Sequence, residues 1–111
     1  MNVLRLATFN KRAQKLFTEA EIDALAAYVS QFPQKGEVIP GTNGLRKLRW
    51  SMGNRGKRGG SRVIYYCHFP ERLILLLSAY AKNQQEDMDA AEKKILKAAV
   101  KRFFKEDGDG D

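Results

Sequence analysis

Cysteine occurs once, at Cys67, and histidine once, at His68, in 111 residues. A lone cysteine closes no intramolecular disulfide, and one Cys with one His cannot complete a zinc site, so stability must come from core packing. The same shortage removes a two-histidine ribonuclease mechanism and any Cys or His metal cluster. Whatever chemistry the chain performs falls to Lys, Arg, Tyr or carboxylates, with no metal and no cofactor expected. Long apolar runs are missing as well. The run Leu73 to Leu77 is strand-sized and, like every other apolar run of the chain, far from the ~20 residues of a membrane span. Arg5 interrupts the apolar stretch that begins at Val3, and Lys11 and Arg12 close it, so the N-terminus does not read as a signal peptide and the expected location is the cytoplasm.

Acidic residues are absent from one stretch in particular. Between Val38 and Pro70 there is no Asp or Glu, yet Arg46, Lys47, Arg49, Arg55, Lys57, Arg58 and Arg62 all lie there. The rest of the chain sets thirteen basic residues against all thirteen acids, so the formal charge of +7 is a local feature. A local cationic patch on an otherwise neutral domain is what phosphate neutralisation requires. An anionic membrane is the competing partner. It is disfavoured because the cations alternate with strand-like apolar residues and no amphipathic insertion helix adjoins them. The plain alternative is a solvated basic face that keeps the protein soluble.

A chain of 111 residues with 43% hydrophobic and 30% charged residues fits one globular domain, expected over residues 1–105 and followed by a disordered acidic tail, 106–111. That tail alternates Asp and Gly but stops short of a twelve-residue calcium loop. The apolar start, Val3 to Phe9, predicts a strand, with Asn10 as a cap and a short helix from Lys11 to Phe17. Thr18-Glu19-Ala20-Glu21 fits a capping box. The helix after it places Ile22, Leu25, Ala26, Val29 and Phe32 on one face and ends before Pro33. Thr42-Asn43-Gly44 predicts a turn into a second strand, Leu45 to Trp50, where Leu48 and Trp50 alternate with Lys47 and Arg49. Met52 to Gly60 is a glycine-rich, cationic connection, longer than an ordinary hairpin loop. Its glycines do not match a P-loop, because no Lys-Ser or Lys-Thr follows at the required spacing. Ser61 to Phe69 predicts a third strand, Pro70 to Arg72 a turn, and Leu73 to Tyr80 a central strand covered on both faces. A last helix runs from Asp89 to Phe104, with an apolar stripe of Ala91, Ile95, Ala99 and Phe103 flanked by Leu96 and Val100. The expected class is α+β: an antiparallel sheet in the order β-α-α-β-β-β-α, with two N-terminal helices and one C-terminal helix packed on it.

The segments Gly44-Leu45-Arg46-Lys47-Leu48-Arg49, Arg58-Gly59-Gly60-Ser61-Arg62-Val63-Ile64-Tyr65-Tyr66 and Tyr80-Ala81-Lys82-Asn83 together resemble the RelE/HigB superfamily of bacterial toxins, in particular its HigB-like branch. The resemblance runs from about Gly44 to the last helix. It implies a RelE-like fold and a small endoribonuclease that cleaves messenger RNA, usually on the ribosome, and is silenced by an antitoxin that is typically a helix-turn-helix protein. It also implies that Arg62 faces the scissile phosphate, that Lys47 and Arg49 supply further cations, and that Lys82 adds a basic group. The best-studied branch carries an arginine where Asn83 stands and a catalytic tyrosine near Met88, which this chain lacks. Tyr80 or Tyr66 is then the substitute.

The chemistry can also be argued without the family. Metal-free RNA cleavage needs the 2′-hydroxyl to lose a proton and attack the adjacent phosphorus, while the pentacoordinate phosphate gains charge and the 5′-oxygen leaves. Clustered cations stabilise that charge, and Arg62 is the first choice for the role. A lysine crowded by arginines loses basicity and becomes a usable general base, which points to Lys57 or Lys82. Tyr66 or Tyr80 can stack on a base. Arg46, Lys47, Arg49, Arg55, Arg58 and Asn83 complete the expected RNA contacts. Tyr65 and Tyr66 must face opposite sides of the sheet, and Tyr66 shares the parity of Arg62. Plainer roles stand beside these: Trp50 as a core anchor, His68 as a structural residue, Cys67 as a small buried hydrophobe, and Asp87 and Asp89 as helix caps in preference to a carboxylate pair for acid-base work. Two rival functions use the same cations, a non-catalytic nucleic-acid-binding module and a degenerate toxin that only binds its antitoxin.

Overall fold

A computed structural model describes residues 1–50, 60–82 and 87–108, with side chains to residue 105. Strand β1 (Asn2–Arg5) leads into helices α1 (Ala7–Ala13) and α2 (Glu19–Gln31). Strands β2 (Glu37–Val38), β3 (Arg46–Trp50), β4 (Ser61–His68) and β5 (Leu73–Ala81) follow, and helix α3 (Ala90–Gly108) closes the described chain. The five strands form one sheet in the order β1-β5-β4-β3-β2. The α+β class and the order of the principal elements match the expectation, but the sheet is mixed rather than antiparallel. β1 runs parallel to β5, with Val3 opposite Ile74. The reversal follows from position. A strand returning from β4 must lie antiparallel to it, and two intervening helices let β1 meet the outer edge of β5 in the other sense.

Several boundaries shift for physical reasons. β1 ends at Arg5 because Phe9 and Ala13, four residues apart on a helix, both point into the core. Asn10 therefore lies inside α1 rather than capping it, and its side chain accepts a hydrogen bond from Arg5 Nε at 2.7 Å. α1 is tied to the sheet by Thr8, whose hydroxyl donates to the Leu77 carbonyl. The capping box of α2 forms as expected. Thr18 Oγ1 accepts from the Glu21 amide at 3.1 Å, and Glu21 Oε1 accepts from the Thr18 amide at 2.9 Å. Ile22, Leu25 and Val29 are buried along this helix, whereas Phe32, one residue past its end, is exposed and packs on the Tyr28 ring. In α3 the buried face centres on Leu96, with Val100, Phe103 and Phe104 packed beside it, and Ile95 is 61% exposed. The expected stripe is one residue out of phase. Apolar residues at 95, 96, 99, 100, 103 and 104 allow two adjacent stripes, and only the facing sheet selects between them.

The sheet separates two cores. Leu48, Val63, Tyr65, Cys67, Ile74, Leu76 and Ala79 meet α1 and α2 on one face. Ile64, Leu75, Leu77, Tyr80 and the half-buried Tyr66 meet α3 on the other. β5 is thus covered on both sides, as its unbroken apolar sequence predicts. The strands β4 and β5 are out of step at one point. Ile64 pairs with Ser78 but Tyr65 pairs with Leu76, leaving Leu77 as an extra residue, a β-bulge.

The Tyr65 hydroxyl and the Cys67 thiol find partners within the first core, whereas the buried indole Nε1 of Trp50 has none among the described residues. The Tyr65 hydroxyl accepts from the Gly36 amide at 2.8 Å and donates to the Pro33 carbonyl at 3.0 Å, which pins the chain leaving α2 to the sheet. Cys67 behaves as a small buried hydrophobe whose thiol donates to the same Pro33 carbonyl. Replacing Tyr65 with Phe keeps the ring but strands the Gly36 amide, so the variant should lose about 1 to 3 kcal/mol of stability in urea unfolding. A loss below a few tenths would mean that this hydroxyl does not anchor the segment.

Candidate functional site

The pleat and register of three strands build the site. On β3, Lys47 and Arg49 alternate with Leu48, so the apolar residue turns to the α1 and α2 core and the cations turn to the α3 side. Arg49 lies directly opposite Arg62 on β4, and Arg62 lies directly opposite Tyr80 on β5. One rung therefore reads Arg49, Arg62, Tyr80 across three strands. The facing pair concentrates positive charge at the middle of this rung.

An acid reaches this face from the approach to α3. Asp87 Oδ1 accepts from Lys47 Nζ at 3.3 Å, from the Met88 amide at 2.8 Å and from the Tyr80 hydroxyl at 3.4 Å. Partial burial pushes the Asp87 carboxyl up, but the Met88 amide and Lys47 outweigh it and hold the group below its usual range. The Tyr80 phenol is pushed up to about 12, first by burial and then by the charge and hydrogen bond of Asp87, with Arg62 opposing. Tyr80 is only 4% exposed. At neutral pH it can donate a hydrogen bond or a proton but cannot accept one as a phenolate base.

Lys82 follows directly after β5, and its amide donates to the Gly60 carbonyl at 3.1 Å. The end of β5 is thereby fastened to the start of β4, where Gly60 takes the left-handed conformation at φ 65°. Beside β3 a cleft of about 330 Å³ is lined by Lys35, Lys47, Arg49 and Arg62 against a single acid, Glu37. The sequence stretch without acids has thus become a cationic surface with Tyr80 behind it.

Not every expected residue joins this surface. Arg46 has the opposite parity to Lys47 and Arg49, and its Nη1 donates to the carbonyls of Gly36 at 2.7 Å and Gln34 at 3.3 Å. It secures the chain before β2 instead of facing the rung. Tyr66 shares the face of Arg62, as its parity predicts, but stands four residues along β4, roughly 13 Å away. There it packs edge-on against Phe104. Arg55, Lys57, Arg58 and Asn83 lie outside the described residues. Among the plainer assignments, His68 stacks on Phe104 with ring centroids 4.1 Å apart, and Trp50 packs on the first core beside Tyr28. Asp89 caps α3 in a reciprocal pair with Glu92, whereas Asp87 serves the site. Sequence reasoning weighed Asp87 and Asp89 as a carboxylate pair and preferred capping for both; the place of Asp87 seven residues after Tyr80 gave no periodic signal that would tie it to the rung.

Tyr80 should ionise near pH 12, identified as the component of the near-ultraviolet tyrosinate titration that Tyr80→Phe removes. In Asp87→Asn the negative neighbour is gone, so that component should move to lower pH. The raised value also adds stability that is fully present below about pH 10 and fades as the pH rises toward 12. An unmoved titration in Asp87→Asn would show that burial alone sets it.

No described helix is long and apolar enough to cross a membrane. The fold is shared with a known protein. Its match to the free-state structure of a double arginine-to-alanine mutant of the E. coli toxin RelE has a TM-score of 0.55, at 15% sequence identity, covering 77% of this chain and 86% of that one. The family model described as the RelE toxin of the RelE/RelB toxin-antitoxin system matches residues 1–109. With nearly the whole chain inside that match, the protein belongs to the RelE toxin family.

Proposed function

We propose that this chain is the toxin of a toxin-antitoxin pair, of the HigB-like branch, and that it acts in the cytoplasm as a metal-independent endoribonuclease cleaving messenger RNA on the ribosome. The observation that carries the reading is the rung of Arg49, Arg62 and Tyr80, two facing cations backed by a buried, protonated phenol. The motif from Arg58 to Tyr66 supports the branch.

In the proposed reaction the 2′-oxygen forms a bond to phosphorus and the bond to the 5′-oxygen breaks, giving a 2′,3′-cyclic phosphate and a free 5′-hydroxyl. Arg62, in the middle of the rung, donates to the non-bridging oxygens as their charge grows, and Arg49 and Lys47 hold the flanking backbone. Lys82 or Lys57 removes the 2′ proton. Tyr80 supplies a hydrogen bond or proton but not the base. A cationic groove of this kind stabilises charge well and aligns substrate poorly, so substrate alignment falls to the ribosome. The antitoxin, a helix-turn-helix protein, neutralises the toxin by covering or displacing this patch.

Inducible expression in bacteria should arrest growth and create new in-frame messenger 5′ ends within minutes. Arg62→Ala should abolish both, with a loss of about 2.7 to 4 kcal/mol of barrier stabilisation, roughly a hundredfold to a thousandfold in rate. The variant's melting temperature is measured alongside, so that a loss of cleavage is told apart from a loss of fold. Normal growth with intact RNA, from soluble protein without antitoxin, would leave only the binding-module or degenerate-toxin readings.

A further inference from the structure

A second cationic cleft lies on the same sheet face as the rung, toward the opposite end of β4. Its volume is about 450 Å³, and it runs between the middle of α3 and the turn before β3. Lys94, Lys97 and Lys101 line it from the helix, Asn43 from the turn, and Tyr66 from the sheet, with no acid among the lining residues. The lysines recur at intervals of three and four, so they share one helix side and span about 10 Å.

The opposite wall is held in place. Asn43 at φ 59° and Gly44 at φ 103° both take left-handed conformations, and buried Thr42 accepts a hydrogen bond from the Leu45 amide. A Cβ at Gly44 would meet the Tyr66 ring at 3.4 Å, an ordinary contact, so the turn calls for glycine there through its left-handed φ and lies directly against that ring. Lys97 Nζ donates to the Gly41 carbonyl at 3.2 Å, bracing the helix against the turn. Tyr66 itself is half-buried, fixed at one edge by Phe104.

We infer that this cleft grips the sugar-phosphate backbone of RNA, with Lys94 and Lys101 on successive phosphates and a nucleobase against Tyr66. A line of cations about 10 Å long suits a chain of phosphates better than one point anion, and an aromatic ring at its floor offers the sequence-tolerant stacking of single-stranded binders. At roughly 13 Å from Arg62 along β4 the cleft is too distant for one phosphate to touch both places. It is a second hold on the strand or on structured RNA beside it. The inference rests on the RNA reading of the rung, but it concerns binding and not cleavage.

The test is fluorescence anisotropy of a 2′-O-methyl RNA oligonucleotide, which keeps the phosphates and cannot undergo 2′-oxygen attack. Affinity is measured across a salt series for the native chain, for Lys94→Ala/Lys101→Ala, and for Lys11→Ala/Lys15→Ala, an equal charge loss on or beside α1. Lys97 is left in place because it braces the turn. The cleft variant should flatten the slope of log affinity against log salt by about 1.4, at roughly 0.7 for each phosphate that is no longer neutralised, and the α1 variant by much less. Tyr66→Leu should weaken binding at least fivefold at one salt concentration and leave the slope unchanged. Equal slopes for the two lysine pairs, or no salt-dependent binding by the native chain, overturn the inference. So does unaltered RNA binding with weakened antitoxin binding in the cleft variant, which would assign the cleft to an acidic protein. Because Arg62 is untouched and the probe cannot be cut, these outcomes stand apart from the growth assay that tests the nuclease reading.

Discussion

Burial of β5 on both faces is the constraint from which the rest of the molecule follows. A strand of continuous apolar sequence cannot leave either side to water, so α1 and α2 must cover one face and α3 the other. The same demand places β5 between β4 and β1, and β1 takes its edge in the parallel sense. The far end of this strand then carries Tyr80 beneath the cationic face. A residue of the core thereby becomes part of the site without leaving the core.

The candidate site gathers charge where strands meet. Two arginines face each other on β3 and β4, and the nearby carboxylate of Asp87 is held by Lys47 and Tyr80. Asp87 has a double effect: it ties the approach of α3 to β3, and it adds to burial in raising the Tyr80 phenol. The segment leading into the helix that closes the second core thus also touches the rung.

What could be read in the chain was what depends on near neighbours. The capping box of α2 needs only residues 18 to 21, and the alternation of β3 needs only 47 to 50, so both were legible, as was the separation of Tyr65 from Tyr66. The facing of Arg49, Arg62 and Tyr80 depends on pairing register across strands far apart in sequence, which no local pattern encodes. The phase of α3 was illegible for a related reason, since 95/99/103 and 96/100/103 are both apolar and only the sheet discriminates. Charge arithmetic misled in one respect. Summing all residues outside 38–70 gave neutrality, yet none of the acids in that sum lines the cleft where Lys94, Lys97 and Lys101 gather against the turn before β3. Balance along a chain is not balance in space.

The extra residue at Leu77 shifts the phase between β4 and β5 halfway along their length. Below it, Tyr65 and Cys67 pair with Leu76 and Ile74 toward the first core, and Tyr66 pairs with Leu75 toward the second. Above it, the pairing has moved by one, and that displacement alone puts Tyr80, rather than Ala79, across from Arg62. The hairpin thus behaves as two gears on one shaft, meshed separately. Each half holds its own register, so the pairing that sets Tyr66 against Leu75 does not fix the one that sets Tyr80 against Arg62.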